Sequence, residues 1–147
     1  MTVRILGVDV GRVRIGLAIS DPSATLARPL TTLTVDGGYE KASERVSEQI
    51  QRLADEDEGL SAIVVGVPTR LDGSASDQTL QVMRFIAALR SKTSIPIHEE
   101  GERLTSREAE SRLAIRERDW RRRKERIDAA AAAIILQDYL DRLGTGD

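Results

Sequence analysis

The chain is 147 residues long, with 40% hydrophobic content, 22 basic and 24 acidic residues and a formal net charge of −2. That length suits one domain over residues 1–147, able to bury about two-thirds of the surface its unfolded chain exposes. The chain has no cysteine, which excludes a disulfide framework and a thiolate metal site; with no signal-like leader and no apolar run near the ~20 residues of a membrane span, a soluble cytoplasmic protein without membrane contact is expected.

The first stretch, Val3-Arg4-Ile5-Leu6-Gly7-Val8-Asp9-Val10-Gly11, reads as a buried strand that ends on an acid. A buried carboxylate is costly unless something pairs with it, so Asp9 points to a bound cation. Arg14-Ile15-Gly16-Leu17-Ala18-Ile19-Ser20 alternates in period two after a turn carrying Gly11, which predicts a hairpin with Asp9 at its tip. Val3, Ile5, Gly7 and Asp9 share one face of it, and Gly7 is expected to leave space beside the carboxylate.

Leu30 to Thr34 forms a short third strand, preceded by Pro29 and closed by Asp36-Gly37-Gly38. Ala42, Val46, Ile50, Leu53 and Ala54 then fall on one face of a helix, with Gly59 beyond its end. Ala62 to Val67 lacks alternation, as expected of a central parallel strand covered on both faces. After the polar loop Thr69 to Ser76, Val82, Phe85, Ile86 and Leu89 mark a second helix. Ile95-Pro96-Ile97-His98-Glu99 reads as an edge strand, because Pro96 cannot donate a ladder hydrogen bond. His98, the chain's single histidine, receives no role.

Thr105 and Glu108 fit a capping box opening a helix toward Ile115, and Ala129, Ala132, Ala133, Leu136, Leu140 and Leu143 line a terminal helix that Asp128 begins. The whole is a mixed α/β sheet of five strands in the order 3-2-1-4-5, with helices on both faces.

Glu102 stands at the carboxyl end of the edge strand, where open α/β sheets place their ligands. Asp128 leads an alanine-rich helix whose small side chains permit close approach to the sheet. Asp9, Glu102 and Asp128 are therefore expected to converge near the ends of the first and fourth strands. Three carboxylates without a cysteine or histidine cluster suit a hard cation, Mg²⁺ or Mn²⁺. Such a site activates water and stabilises a leaving oxygen at a phosphodiester.

Charge distribution agrees: Arg103 to Arg126 carries ten basic and five acidic residues, while the remainder of the chain is net −7. Arg12, Arg14, Arg70, Arg103, Arg121, Arg122, Arg123 and Lys124 are the candidate nucleic-acid contacts. Trp120, inside the basic segment, either stacks on an unpaired base or anchors the segment against the domain.

Asp9-Val10-Gly11 with Arg14-Ile15-Gly16-Leu17-Ala18, Gly66-Val67-Pro68 with Asp72-Gly73-Ser74, Glu102-Arg103-Leu104-Thr105-Ser106, and Ile127-Asp128-Ala129-Ala130-Ala131 with Ile135-Leu136-Gln137 together resemble the YqgF family. The match is collinear from the first strand to about Leu143. The resemblance implies a ribonuclease H-like fold, a nuclease acting on precursor 16S rRNA, kinship with RuvC-type Holliday junction resolvases, and Asp9, Glu102 and Asp128 as the acidic site. One position departs: the family usually reads Asp-Glu-Arg at the second motif, where this chain has Gly101, leaving Glu100 as the neighbour able to supply that charge.

The expected activity is metal-dependent cleavage of structured RNA, precursor rRNA above all, by a monomer or homodimer. Branched DNA is the alternative substrate. A non-catalytic nucleic-acid-binding or scaffold protein of the same fold is the alternative from another class, favoured by the modest overall charge and by Gly101.

Overall fold

Period-two alternation in the first twenty residues produces two antiparallel strands, β1 (Arg4–Val10) and β2 (Arg14–Ser20), and pairs Asp9 with Gly16 across the ladder. The computed structural model describes residues 3–102 and 120–144, without the side chains of 102 and 120–126. The expected capped helix from Thr105 to Ile115 therefore lies outside the described residues.

A third strand, β3 (Ala27–Thr34), pairs antiparallel with β2. It starts before the expected Leu30 and passes through Pro29, which is tolerated because β3 is an edge strand and the ladder shifts register between Leu17 and Ala18, opposite that proline. Gly37 and Gly38, both with left-handed φ, turn the chain into α1 (Gly38–Ala54), whose Ala42, Val46, Ile50 and Leu53 are buried. At its far end Arg4 is buried with its guanidinium on the Leu53 and Gly59 carbonyls, 3.1 Å each, and on Glu56 at 2.8 Å.

β4 (Leu60–Pro68) runs parallel to β1 in the interior of the sheet, covered on both faces as its unbroken apolar run predicts, although β1 and not β4 is the middle strand. A reciprocal Ser76–Thr79 capping box then opens α2 (Asp77–Arg90), and Val82, Phe85, Ile86 and Leu89 are all buried. β5 (Ile97–Glu102) closes the other edge, parallel to β4, and the strand order is β3-β2-β1-β4-β5. Pro96 stands just before β5 and contributes only its carbonyl, to the Ile63 N–H at 2.9 Å.

The last described helix is α3 (Trp120–Gly144), and here the sequence expectation needs correcting. Asp128 does not begin this helix; it lies more than two turns inside it. The run Arg121-Arg122-Arg123-Lys124 carries no apolar stripe to announce a helix, so periodicity alone starts it too late. Ala131, Ala132, Ile135, Leu136 and Leu140 are its most buried residues, whereas Leu143 is 48% exposed and does not line the core.

Two cores follow from the alternation of the strands. Leu6, Val8, Ile15, Leu17, Ile63 and Val65 pack under α1 and α2, while Ile5, Ala18, Ala62 and Val64 pack under Ala132, Ile135, Leu136 and Leu140 of α3. Among the described residues, no helix is long and apolar enough to cross a membrane.

Candidate active site

Asp9 is the penultimate residue of β1, half-buried, on the sheet face that α3 covers. Its place follows from register. Residues paired across a ladder share a face, and Asp9 pairs with Gly16, which in turn pairs with Thr32. One step beyond the Val8–Val65 pair, the same row passes through Gly66, and Gly66 pairs with Glu100 on β5. Glycines thus flank the acid on both neighbouring strands.

Those glycines admit the helix. A Cβ at Gly16 would stand 1.9 Å from the Asp128 carbonyl oxygen, one at Gly66 would stand 2.5 Å from the Ile135 Cδ1, and one at Gly7 would stand 2.8 Å from the Leu136 Cβ. The α3 backbone therefore rests on β2 at Gly16, the ladder partner of Asp9, which brings Asp128 over the strand next to the one that carries Asp9. Gly7 does not leave space beside the Asp9 carboxylate, as the sequence suggested; Ala132 and Leu136 fill it.

Arg14 lies two residues before Gly16 on the same strand face, and its Nε donates to Asp128 Oδ2 at 2.8 Å. Both side chains are about a quarter exposed, 29% and 24%, so this charge-assisted bond orients the carboxylate at the rim of the sheet while leaving it within reach of solvent. Sequence reasoning treated Arg14 as a phosphate contact and missed this partner. A Gly inside an otherwise apolar strand was the available signal that a backbone approaches closely there.

Glu100 occupies the same row as Asp9 but has a different partner. It is 4% exposed and grips both terminal nitrogens of Arg142 on α3, one of them at 2.6 Å. Its charge is committed to holding the helix against β5, so it does not stand in for the acid missing at position 101. Gly101 is exposed, and among the described residues a Cβ there would meet nothing within 4 Å. Glu102 is the last residue of β5, at the register position opposite Pro68; its side chain lies outside the described residues.

Arg12, beside the hairpin turn, and Arg70, in the loop after β4, are both exposed. Arg103 and the side chains of Trp120, Arg121, Arg122, Arg123 and Lys124 lie outside the described residues. His98 is exposed and stacks on Tyr139 of α3 with ring centroids 5.6 Å apart. Among the described residues, no three carboxylates, histidines or cysteines cluster as a metal site would. Asp9 and Asp128 are the two acids whose backbones the fold brings to adjoining positions on one face, and with no histidine or cysteine beside them they offer oxygen alone.

At the other end of β2, Asp21 organises the connection to β3. It accepts the Ser23 hydroxyl and the backbone N–H groups of Leu26 and Thr25, which hold its carboxyl down to about 2. The loop so formed presents the Thr25 carbonyl and the Ala27 N–H to Gln137 of α3, at 3.0 and 2.9 Å.

Comparison with known proteins matches residues 3–142 to the RuvX family model, described as Holliday junction resolvase. A protein of Chloroflexus aggregans named "Putative pre-16S rRNA nuclease" is 44% identical over 137 residues, covering 93% of this chain and 92% of its own length. One of the same name from Thermoanaerobacter pseudethanolicus is 43% identical over 141 residues, covering 95% and 96%. Among solved structures, T. thermophilus RuvC bound to a Holliday junction substrate aligns over 97% of both chains with a TM-score of 0.53 at 16% identity, a likeness of fold.

Proposed function

The chain belongs to the RuvX (YqgF) family, and from that premise we propose that it is a metal-dependent endonuclease that cleaves structured RNA during maturation of precursor 16S rRNA in the cytoplasm. The observation that carries the proposal is the seating of Asp128 on Gly16, directly across the ladder from Asp9. Two acids from opposite ends of the chain share one face at the carboxyl end of β1, where an open α/β sheet places its ligand.

The donor set fits Mg²⁺ or Mn²⁺, because carboxylate oxygens without nitrogen or sulfur ligands select hard cations. Asp9, Asp128 and Glu102 would hold the ion. Bound there, it would lower the pKa of a coordinated water and polarise the phosphodiester. The protein's own residues do the positioning. Arg14 fixes the rotamer of Asp128, and Arg142 with Glu100 pins α3 to β5, so that the acid is delivered at a set distance from Asp9. Arg12 and Arg70 contact backbone phosphates, joined by Arg103 and by Arg121, Arg122, Arg123 and Lys124 from the basic segment.

The test is a cleavage assay with Mn²⁺ or Mg²⁺ in which precursor 16S rRNA, a four-way DNA junction and a plain duplex are offered in parallel. Cleavage of the precursor, abolished by chelation, is expected. Asp9→Asn and Asp128→Asn should each lower the rate by at least about 100-fold, since loss of the residues that merely support metal ligands already costs 10–100-fold. Asp128 is too far into α3 for the helix dipole to matter, and asparagine keeps an oxygen that can accept from Arg14, so Asp128→Asn should fold. A folded variant that cuts at the wild-type rate ends the acid-site mechanism. Cleavage of the four-way junction alone assigns the site to branched DNA.

A further inference from the structure

Behind the β1–β2 tip, on the face away from α3, lies a cavity of about 250 Å³. It begins at Val10, one residue after Asp9, and continues along the connection through Arg12; Tyr39 of α1 and Val82 of α2 form its far wall. Gln78 and Gln81, one helical turn apart in the first half of α2, place two primary amides at its rim. Both glutamines and Arg12 are exposed, and Tyr39 is half-buried. Among the described residues, none that lines the cavity carries a carboxylate.

We propose that this cavity receives one unpaired nucleobase of the strand being cut, an assignment that rests on the nuclease reading of the adjoining acid site. A nucleobase is flat and apolar on its faces and bears donors and acceptors on its edge, which is the complement of an aromatic wall, aliphatic sides and two amides that can each donate and accept. Arg12 stands where it can meet the nucleotide's phosphate. The volume falls short of the roughly 300–1,000 Å³ that larger ligands occupy, so it admits one ring system and not a stacked pair. Continuity does the rest. Val10 and Asp9 are adjacent in one strand and face opposite sides of the sheet, so a strand crossing the hairpin tip sets a phosphate on the acid side and turns its neighbouring base into the cavity. Such an arrangement selects strands with an extruded or unpaired nucleotide beside the cleavage point, because extrusion is cheapest where pairing is already broken.

The test measures binding in a chelator-containing buffer, so that it does not depend on cleavage. Fluorescence anisotropy compares an RNA stem carrying a single-nucleotide bulge with the same stem fully paired, for the wild type and for Q78A/Q81A, two exposed substitutions that leave the core untouched. The wild type should prefer the bulged stem by about 5- to 150-fold, the range set by two hydrogen bonds from the amides to the base edge. Q78A/Q81A should lose most of that preference while its affinity for the paired stem stays unchanged. Equal binding of both stems by the wild type, or a preference undiminished in the double variant, overturns the assignment. A nucleoside monophosphate added as competitor separates the two sources of a base: displacement by free nucleotide without any preference for the bulge would make the cavity a nucleotide site and refute the strand assignment. Wild-type protein that prefers the bulge yet never cuts RNA in Mn²⁺ sinks the nuclease reading alone, and protein that cuts without the preference sinks the cavity alone.

Discussion

The two faces of the sheet are built on opposite rules. Under α1 and α2 the strands present Leu6, Val8, Ile15, Leu17, Ile63 and Val65, and the helices answer with Val46, Phe85, Ile86 and Leu89, a filled aliphatic core. Under α3 the same strands present Gly7, Gly16 and Gly66, the helix answers with Leu136, Ile135 and its own backbone at Asp128, and charged residues enter: Asp9 and Arg14 from the strands, Asp128 and Arg142 from the helix. The first face holds by the volume it buries. The second gives up volume for proximity, drawing the helix backbone at Asp128 against Gly16, the ladder partner of Asp9. If the proposed acid site is correct, stability and chemistry are separated by the thickness of a sheet, and substitutions on the two faces should fail in different ways.

The largest effect belongs to the filled face. Phe85 is fully buried, and Phe85→Ala should cost about 3–5 kcal/mol by lost transfer free energy and a cavity that neighbouring side chains fill only partly. The protein that remains folded should bind metal and cut as before, because Phe85 lies across the sheet from the acids. Denaturant unfolding gives the first quantity and the rate per folded molecule the second; a proportional loss of both would mean that the two faces are coupled.

On the glycine face the smallest addition is the harmful one. Gly16→Ala sets a methyl 1.9 Å from the Asp128 carbonyl, a backbone atom that no rotamer can move, so α3 must lift from β2. Overpacking of this kind costs about 1–3 kcal/mol, less than the Phe85 deletion, yet it displaces Asp128 from Asp9 and should depress cleavage far more than Phe85→Ala does. Gly101→Ala is the control, since its methyl meets nothing within 4 Å among the described residues. If Gly16→Ala cuts at the wild-type rate per folded molecule, close approach of the helix is not what builds the site.

The same contrast decides what could be read in the sequence. Large apolar side chains at regular spacing announce themselves, so Val82-Phe85-Ile86-Leu89, the unbroken β4 run and the strand order are all legible in the sequence. Ribonuclease H-like architecture followed from motif order and agrees with the sheet. The glycine face was legible only in part. Asp9 and Asp128 stood out as acids in apolar or small-residue surroundings, but the start of α3 was hidden by a stretch of arginines that has no apolar stripe. Gly7 was read as space because a missing side chain leaves no trace of what fills it. Neither the Arg14–Asp128 pair nor the Glu100–Arg142 pair has a local signature, since each joins residues far apart in the chain and is fixed only when α3 docks.

The smallest effect should appear where α3 is moored rather than where it works. Gln137 bonds the loop that Asp21 organises, and the Asp21 carboxyl is held down to about 2 from 3.8, chiefly by the Ser23 hydroxyl and then by the Leu26 and Thr25 N–H groups. The folded state binds this proton less readily than the unfolded chain. Its contribution is therefore complete above the unfolded value near 3.8, falls as pH drops through the interval between 3.8 and about 2, and is gone below it. Asp21→Asn removes the titrating group but keeps an acceptor for the loop, so the variant should be slightly less stable than wild type near neutrality and approach it as pH falls through that interval. Because the carboxyl is at the surface, water and salt screen it and the difference should be the least of the three. Paired denaturant titrations of the two proteins at several pH values check the sign. A gap that stays constant down to about pH 2 would show that the Asp21 bonds do not persist in solution. Phe85→Ala, on the uncharged face, supplies the reference: its gap from wild type should hold the same value across the whole series.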